Sequence, residues 1–226
     1  VVLIERGSAP GSKNLSGGVL YSQVLAETIP AFAVEAPFER VVTRNVTTFL
    51  NATSSVSIDY DDERLREEVN AVTVLRAHFD PWLAGKAEEA GAFLMPGMHV
   101  DSLVTEAGPA GKPRVVGLNA GGDVLRAHVV IAADGVNSFL ARGAGLRPRP
   151  ASHQLAVGIK AVVKLPAQRI EDRFGVRPGE GAAHAIVGDA SAGVAGGGFL
   201  YTNAESLSLG LVLRLDDLVR SGHSSH

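Results

Sequence analysis

The chain opens on an unbroken apolar run, Val1-Val2-Leu3-Ile4, closed by Glu5-Arg6-Gly7. Such a run is what a parallel strand covered on both faces looks like. A glycine-bearing loop follows over residues 7–18. Leu20, Val24, Leu25 and Thr28 then recur at helical spacing, which predicts a short helix over 19–29, stopped by Pro30. Over 41–60 the pattern becomes an alternation rich in Val and Thr, predicting two antiparallel strands around Asn51. Residues 61–68 form a solvated charged stretch. Asp80-Pro81 reads as an N-cap followed by proline at the first helical position, with a start a few residues earlier as the alternative. Phe79, Trp82, Leu83, Ala87 and Ala90 give that helix one apolar face, and Gly91 closes it.

Residues 93–104 read as a strand interrupted by Pro96-Gly97. Ala120-Gly121-Gly122 is a hairpin signature between strands at 115–119 and 123–129. The second arm runs on into Val129-Val130-Ile131-Ala132-Ala133, predicted to be another buried strand, followed by Asp134-Gly135 and a short helix with Phe139 and Leu140. Beyond Pro148 the character changes. Two long strands are expected over 154–165 and 199–215, joined by a loop rich in Gly and Ala, with a helix beginning near the C-terminus.

The expected organisation is α/β: an incomplete Rossmann-like domain from residues 1–40 and 69–148, and an α+β substrate domain on an antiparallel sheet from 41–68 and 149–226. The chain starts as if in mid-core and stops as a helix begins, so a fragment is expected. The net charge of −3 argues against a nucleic-acid partner, which would need a basic face. The absence of cysteine excludes disulfides, thiolate catalysis and cysteine-held metal or iron–sulfur centres within this chain. No apolar run approaches the ~20 residues that span a bilayer. His223 and His226 lie in a polar tail and read as a frayed end.

Glu5 ends a strand. In a dinucleotide-binding fold an acid at that place accepts hydrogen bonds from the adenosine ribose, with the glycine fingerprint roughly 20 residues upstream. It is equally a plain polar strand end. Ala133-Asp134-Gly135 follows an apolar run and precedes a helix. The carboxyl ends of parallel strands are where ligands sit, but Asp134 could as well cap the helix and Gly135 supply a positive φ. Arg76, just ahead of a helix, suits a phosphate or a ring edge, or a surface ion pair. Gly188-Asp189 looks like a ribityl-closing Gly-Asp pair but lies ahead of the strand at 199–201, so Asp189 reads as a loop residue.

Taken in order, Ile4-Glu5-Arg6-Gly7, the 13–21 segment with Gly17-Gly18, Leu75-Arg76-Ala77-His78-Phe79-Asp80-Pro81-Trp82, Ala133-Asp134-Gly135-Val136-Asn137-Ser138 and Gly196-Gly197-Gly198-Phe199-Leu200-Tyr201-Thr202-Asn203 resemble the geranylgeranyl-reductase and electron-transfer-flavoprotein dehydrogenase branch of flavoproteins. Within it the chain is most similar to FixC-type electron transfer flavoprotein–quinone oxidoreductases. The resemblance implies FAD as cofactor. Glu5 would hold the adenosine ribose, Arg6 would lie by the adenine, and Val100 would meet adenine through its backbone. Gly17 and Gly18 would let backbone approach the isoalloxazine, Arg76 would face the pyrophosphate, and Ala133, Asp134 and Gly135 would line the cleft. Gly197, Gly198 and Tyr201 would lie on the substrate or quinone side. It also implies an electron transfer flavoprotein as donor, a quinone or ferredoxin-like protein as acceptor, and a cytoplasmic protein with peripheral membrane contact. A geranylgeranyl reductase, an aromatic-ring hydroxylase or an inactive truncated piece are the alternatives. The fragment alone is expected to be inactive.

Overall fold

The computed structural model describes residues 1–14, 17–67 and 69–223; Leu15, Ser16, Glu68, Ser224, Ser225 and His226 lie outside them. In chain order the elements are β1 (Val2–Glu5), β2 (Gly18–Tyr21), α1 (Gln23–Thr28), α2 (Phe32–Glu35), β3 (Arg40–Leu50), β4 (Ser55–Asp61), α3 (Arg64–Glu67), β5 (Ala71–Val74), α4 (Arg76–Glu89), β6 (Phe93–Pro96) and β7 (Val100–Ala107). There follow β8 (Pro113–Ala120), β9 (Asp123–Arg126), α5 (Phe139–Gly143), β10 (Ala156–Lys164), α6 (Ala167–Phe174), β11 (Glu180–Gly188), β12 (Gly196–Thr202), β13 (Ser206–Arg214) and α7 (Leu215–Ser221). They divide into two compact units, Val1–Lys13 with Ala84–Pro150, and Asn14–Leu83 with Ala151–His226.

In the first unit β1 pairs in parallel with β6, and the ladder continues past its end through Gly97 N–H to the Gly7 carbonyl, 2.7 Å. β7, β8 and β9 form an antiparallel meander. The β8–β9 turn carries Gly121 and Gly122 at φ of 60° and 92°, the mirror-image turn that matches strand twist.

The second unit is built on one mixed sheet, ordered β10-β13-β12-β11-β3-β5-β2 with β4 also on β3. Its pairs are antiparallel except β11 with β3. One apolar cluster joins Phe32, Val72, Val74 and Phe79, with Phe38, Trp82 and Leu83 packed against it. The Phe79 and Trp82 rings lie 5.5 Å apart, and Phe32 meets Trp82 edge-on. The sequence-read face of α4 is therefore the packed face as far as Leu83, while Ala90 is exposed.

A polar hub holds the other side of this sheet. The Arg40 side chain is buried and donates to the backbone carbonyls of Asn203 (2.7 Å), Glu180 (2.9 Å) and Ala204 (2.9 Å), and reaches Glu171 at 3.4 Å. Thr73 donates its hydroxyl to the Thr202 carbonyl, and Asn203 donates to Ser206 and Ser208. Apart from Glu171, these side chains are buried.

Several expectations need correction. Residues 18–21 form a strand, not the start of a helix. Their backbone pairs with β5, and buried Ser22 donates its N–H to the Asn70 carbonyl before α1 begins. α4 starts at Arg76, four residues ahead of Asp80, which places Pro81 inside the helix. The 199–215 strand is two strands folded back at Asn203, and the loop ahead of it contains α6 and β11. Residues 129–133 are not a buried strand: Val129 and Ile131 are exposed, because the parallel sheet of this unit consists, among the described residues, of β1 and β6, and nothing pairs with the segment. The charged 61–67 stretch is in part a short helix, and Arg66 ties it to Glu180 of β11 at 3.1 Å.

Removing the Arg40 charge strands three carbonyls in a buried site. Arg40→Met should cost about 3–5 kcal/mol, the usual cost of breaking a buried charge network by removing one partner. Arg214→Ala, which removes an exposed ion pair with Asp216, should cost under ~1 kcal/mol. Urea unfolding of both variants checks the contrast; equal midpoints would contradict it.

Candidate functional site

Each unit carries part of the expected site. In the first unit, Glu5 ends β1 and its carboxylate folds back to accept the Gly7 N–H at 2.5 Å. A Cβ on Gly7 would fall 2.4 Å from Ser12 Oγ and 3.0 Å from the Ala9 carbonyl oxygen, so a larger residue there would make the neighbours shift. Arg6 is exposed. Met98 donates its N–H to the Glu5 carbonyl, and Val100 begins β7 two residues later, opposite Ala120. Ala133, Asp134 and Gly135 are exposed and outside regular structure. Asp134 Oδ2 accepts the Leu140 N–H at 2.9 Å, capping α5, and Gly135 sits at a φ of 78°. Both plain structural roles for these two residues are therefore realised. Asp189 lies exposed in a turn after β11, a loop residue as expected.

In the second unit, Gly17 has a φ of 82°, and a Cβ there would lie 2.4 Å from the Val74 carbonyl oxygen and 3.0 Å from Lys160 Nζ. Gly18 has ordinary backbone and open space where its side chain would be. Neither carries a side chain over its backbone. Arg76, at the start of α4, pairs with Asp80 at 2.5 Å, and Asp80 also accepts from Asn14 Nδ2 at 2.6 Å. On β12 the alternation of side chains places Gly197, Phe199 and Tyr201 on one face and Gly198 on the other. The Phe199 and Tyr201 rings stack at 5.1 Å and 11°. A Cβ on Gly210, the cross-strand partner of Phe199, would lie 2.6 Å from that ring.

The site residue that sequence reading missed is Lys160. It lies on β10, its Nζ 5.1 Å from the centre of the Tyr201 ring. The ammonium has no solvent contact and no hydrogen-bond partner among the described residues. Burial alone pushes its pKa down to about 8, and burial likewise pushes the Tyr201 hydroxyl up. Lys160 thus links the Gly17 turn to Tyr201. The available signal was a single lysine in the centre of the apolar run Val157 to Val163. No metal-holding cluster occurs among the described residues.

No protein-family model matches the chain. The chain is similar in structure to a geranylgeranyl bacteriochlorophyll reductase-like protein from Thermoplasma acidophilum, with a TM-score of 0.72 at 22% identity over 95% of this chain and 50% of that one. It also superposes on the myxobacterial chondrochloren halogenase CndH, described as a variant of FAD-dependent halogenases, with a TM-score of 0.63 at 16% identity over 100% of this chain and 49% of that one. The chain therefore shares the α/β fold of these solved structures and spans about half of each.

Sequence narrows the class. The chain is 48% identical over 225 residues to a probable electron transfer flavoprotein–quinone oxidoreductase, YdiS, of Escherichia coli K12, covering 99% of this chain and 51% of that protein. It is 46% identical over 219 residues to FixC of Salmonella typhi, covering 96% of this chain and 50% of that protein. The chain belongs to this family of FixC and electron transfer flavoprotein–quinone oxidoreductase proteins, and spans about half the length of the curated relatives it matches.

Two outcomes follow from this geometry. Gly17→Ala forces a side chain into the Val74 carbonyl at a left-handed φ and should destabilise the second unit by ~1–3 kcal/mol, read by thermal unfolding. The Lys160 side chain, followed by NMR at Cε, should titrate near pH 8, well below the ordinary lysine value of 10.5. Since folding disfavours its charged form, stability should rise as pH goes from about 8 to 10.5, and Lys160→Met should abolish that rise. A Cε titration coincident with the surface lysines would contradict the burial.

Proposed function

We propose that the protein of which this chain forms part is an FAD-dependent oxidoreductase that takes electrons from an electron-transfer-flavoprotein-type donor and passes them to a quinone or a ferredoxin-like acceptor. The observation that carries this reading is the near-complete alignment of the chain with relatives bearing that name, at 48% identity for the first of them. FAD would supply the electron-carrying chemistry, while the protein positions it and tunes it.

The residues present suit the cofactor. Glu5 holds an acceptor at the carboxyl end of a parallel strand, the place where such sheets take the ribose, and Arg6 and the Val100 backbone would serve the adenine. Gly17 and Gly18 offer bare backbone for a flat ring, and Arg76 lies one residue beyond Leu75, which packs against Gly17, with the pyrophosphate as its intended partner. Ala133, Asp134 and Gly135 would line the cleft, with Asp134 fixing the turn through its cap on α5. Gly197, Gly198 and Tyr201 would belong to the acceptor side. On this reading residues 1–40 and 69–148 serve the cofactor and the remainder serves the acceptor.

The likeness to the geranylgeranyl bacteriochlorophyll reductase-like structure favours a second reading, reduction of a prenyl substrate. Assays of the full-length holoprotein with a reduced electron transfer flavoprotein and a quinone, with a prenyl substrate, and with NADPH separate the readings. The expected result is quinone reduction; NADPH oxidation without it would overturn the proposal. No described helix is long and apolar enough to cross a membrane. Peripheral contact is part of the proposal, and co-flotation of the holoprotein with quinone-bearing vesicles tests it.

Glu5→Ala should lose a charge-assisted pair of hydrogen bonds worth ~1.5–3 kcal/mol, or roughly ten- to a hundredfold in FAD affinity, read by flavin release. The purified 226-residue chain alone should be colourless and inactive. A stoichiometric yellow chain would refute that last point without touching the first.

A further inference from the structure

Arg76 opens α4, and its place there runs against the helix. A cation in the first turn meets the positive end of the helix dipole, and at i,i+4 spacing an acid ahead of a base is the better order. Here the base comes first, and the first turn holds no acid. Helix stability therefore does not account for the arginine. Its counter-ion Asp80 lies one turn on, with a side chain 12% exposed against 43% for Arg76.

The contact itself leaves most of the guanidinium unused. Asp80 Oδ1 accepts from Arg76 Nε at 2.5 Å, and both terminal nitrogens of Arg76 are without a protein partner among the described residues. By contrast Arg44, Arg64, Arg66 and Arg220 each give a terminal nitrogen to a carboxylate. A guanidinium held at Nε has its plane set from behind, and its outer N–H donors remain for a second anion that takes two of them at once. The other carboxylate oxygen of Asp80 accepts from Asn14 Nδ2 at 2.6 Å, three residues ahead of Gly17. Both oxygens are thereby occupied. A Cβ on Gly17 would lie 3.2 Å from the Leu75 side chain, the residue next to Arg76. One carboxylate thus sets the arginine and ties it to the chain that enters the glycine turn.

We propose that Asp80 is a positioning residue for the cofactor, holding Arg76 at Nε so that the terminal guanidinium nitrogens are presented to the FAD pyrophosphate. The inference rests on the role of Arg76 proposed above and extends it to a residue that the sequence marks only as a helix cap. The physical gain is preorganisation: a side chain already fixed loses less freedom when the anion arrives.

The test is a double-variant cycle on FAD affinity. Full-length protein is stripped of flavin and titrated with FAD as wild type, Asp80→Ala, Arg76→Ala and the double variant, with flavin fluorescence as the readout. Asp80→Ala should raise the dissociation constant about tenfold, or ~1.4 kcal/mol, when Arg76 is present. Once Arg76 is gone, the same change should cost less than about twofold, since the two residues act as one unit. Asp80→Asn keeps the shape and an oxygen for Asn14, and it should weaken FAD binding in the same Arg76-dependent way; it carries the cycle where Asp80→Ala does not fold.

A carboxylate that only supports the fold, through Asn14 or through α4, costs the same factor in both backgrounds, and that result overturns the proposal. So does unchanged FAD affinity in Asp80→Ala, the mark of an ordinary surface ion pair, or tighter binding in Asp80→Asn, the mark of a carboxylate that repels the cofactor. In each of these cases the loss of affinity in Arg76→Ala leaves the role of Arg76 standing. Arg76→Ala that binds FAD as wild type does overturns that role and this inference together, and wild-type protein that holds no FAD overturns the flavoprotein reading itself.

Discussion

A guanidinium cannot shed its charge, so a buried arginine has to be answered by fixed acceptors. Arg40 is 2% exposed and meets that demand with three backbone carbonyls taken from two distant stretches of chain, Glu180 at the start of β11 and Asn203 and Ala204 in the β12–β13 turn. The larger unit depends on this convergence. The parallel pairing of β11 with β3 slips between Gly181 and Ala182, and a Cβ on Gly181 would lie 2.9 Å from the Arg40 Cβ and 2.8 Å from Thr202 Oγ1. Glycine at that slip lets the arginine and the threonine approach, and Thr202 then accepts the Ala182 N–H at 2.9 Å.

The hub also sets the candidate site, through strand alternation. Thr202 points into the hub, so its neighbour Tyr201 must point to the other face, where it stacks on Phe199 and lies beneath the Lys160 ammonium. The hub residues Thr202 and Asn203 and the ring-bearing Phe199 and Tyr201 belong to one continuous segment. Its chemistry is therefore double: Thr202 and Asn203 hold the sheet, and Phe199 and Tyr201 furnish a pair of stacked rings. A change in the hub register would move both rings to the wrong face.

Elements with a local cause were legible in the sequence: the β8–β9 turn at Gly121-Gly122, the Asn51 turn, the Gly91 end of α4 and the apolar face from Phe79 to Leu83. Those decided by distant partners were not. Val19 and Leu20 satisfy a helical pattern and a strand equally, and β5, some fifty residues on, settles the matter. β11 reads as a Gly- and Ala-rich loop, and its need for a small residue at Gly181 comes from Arg40 and Thr202, both distant in the chain. Arg40 carries no local mark of burial. Gly17 sits at a left-handed φ with the Val74 carbonyl close by, which excludes other residues. Lys160 stands out in the sequence only as a lysine within an apolar run, and its neighbours Tyr201 and Gly17 are distant in the chain.

Asp134 shows how a cap can be supplied from outside the helix it serves. Its carboxylate accepts the Leu140 N–H, which uses one oxygen and fixes the entry to α5. The turn beneath it is held at Gly135, whose carbonyl accepts the Ser138 N–H at 3.2 Å, while Ser138 itself takes a φ of 43°. A non-glycine residue in that region costs about 1–3 kcal/mol and persists where the surroundings over-determine it. Capping alone does not require such a turn, since an N-cap residue adjoining the helix ordinarily has extended backbone. What the turn achieves is to bring a carboxylate from five positions ahead of the helix onto its first turn. The exposed Ala133-Asp134-Gly135 backbone is thereby held in a defined shape without a strand to support it. The cap at Asp134 and the turn at Gly135 thus act together in shaping the entry to α5.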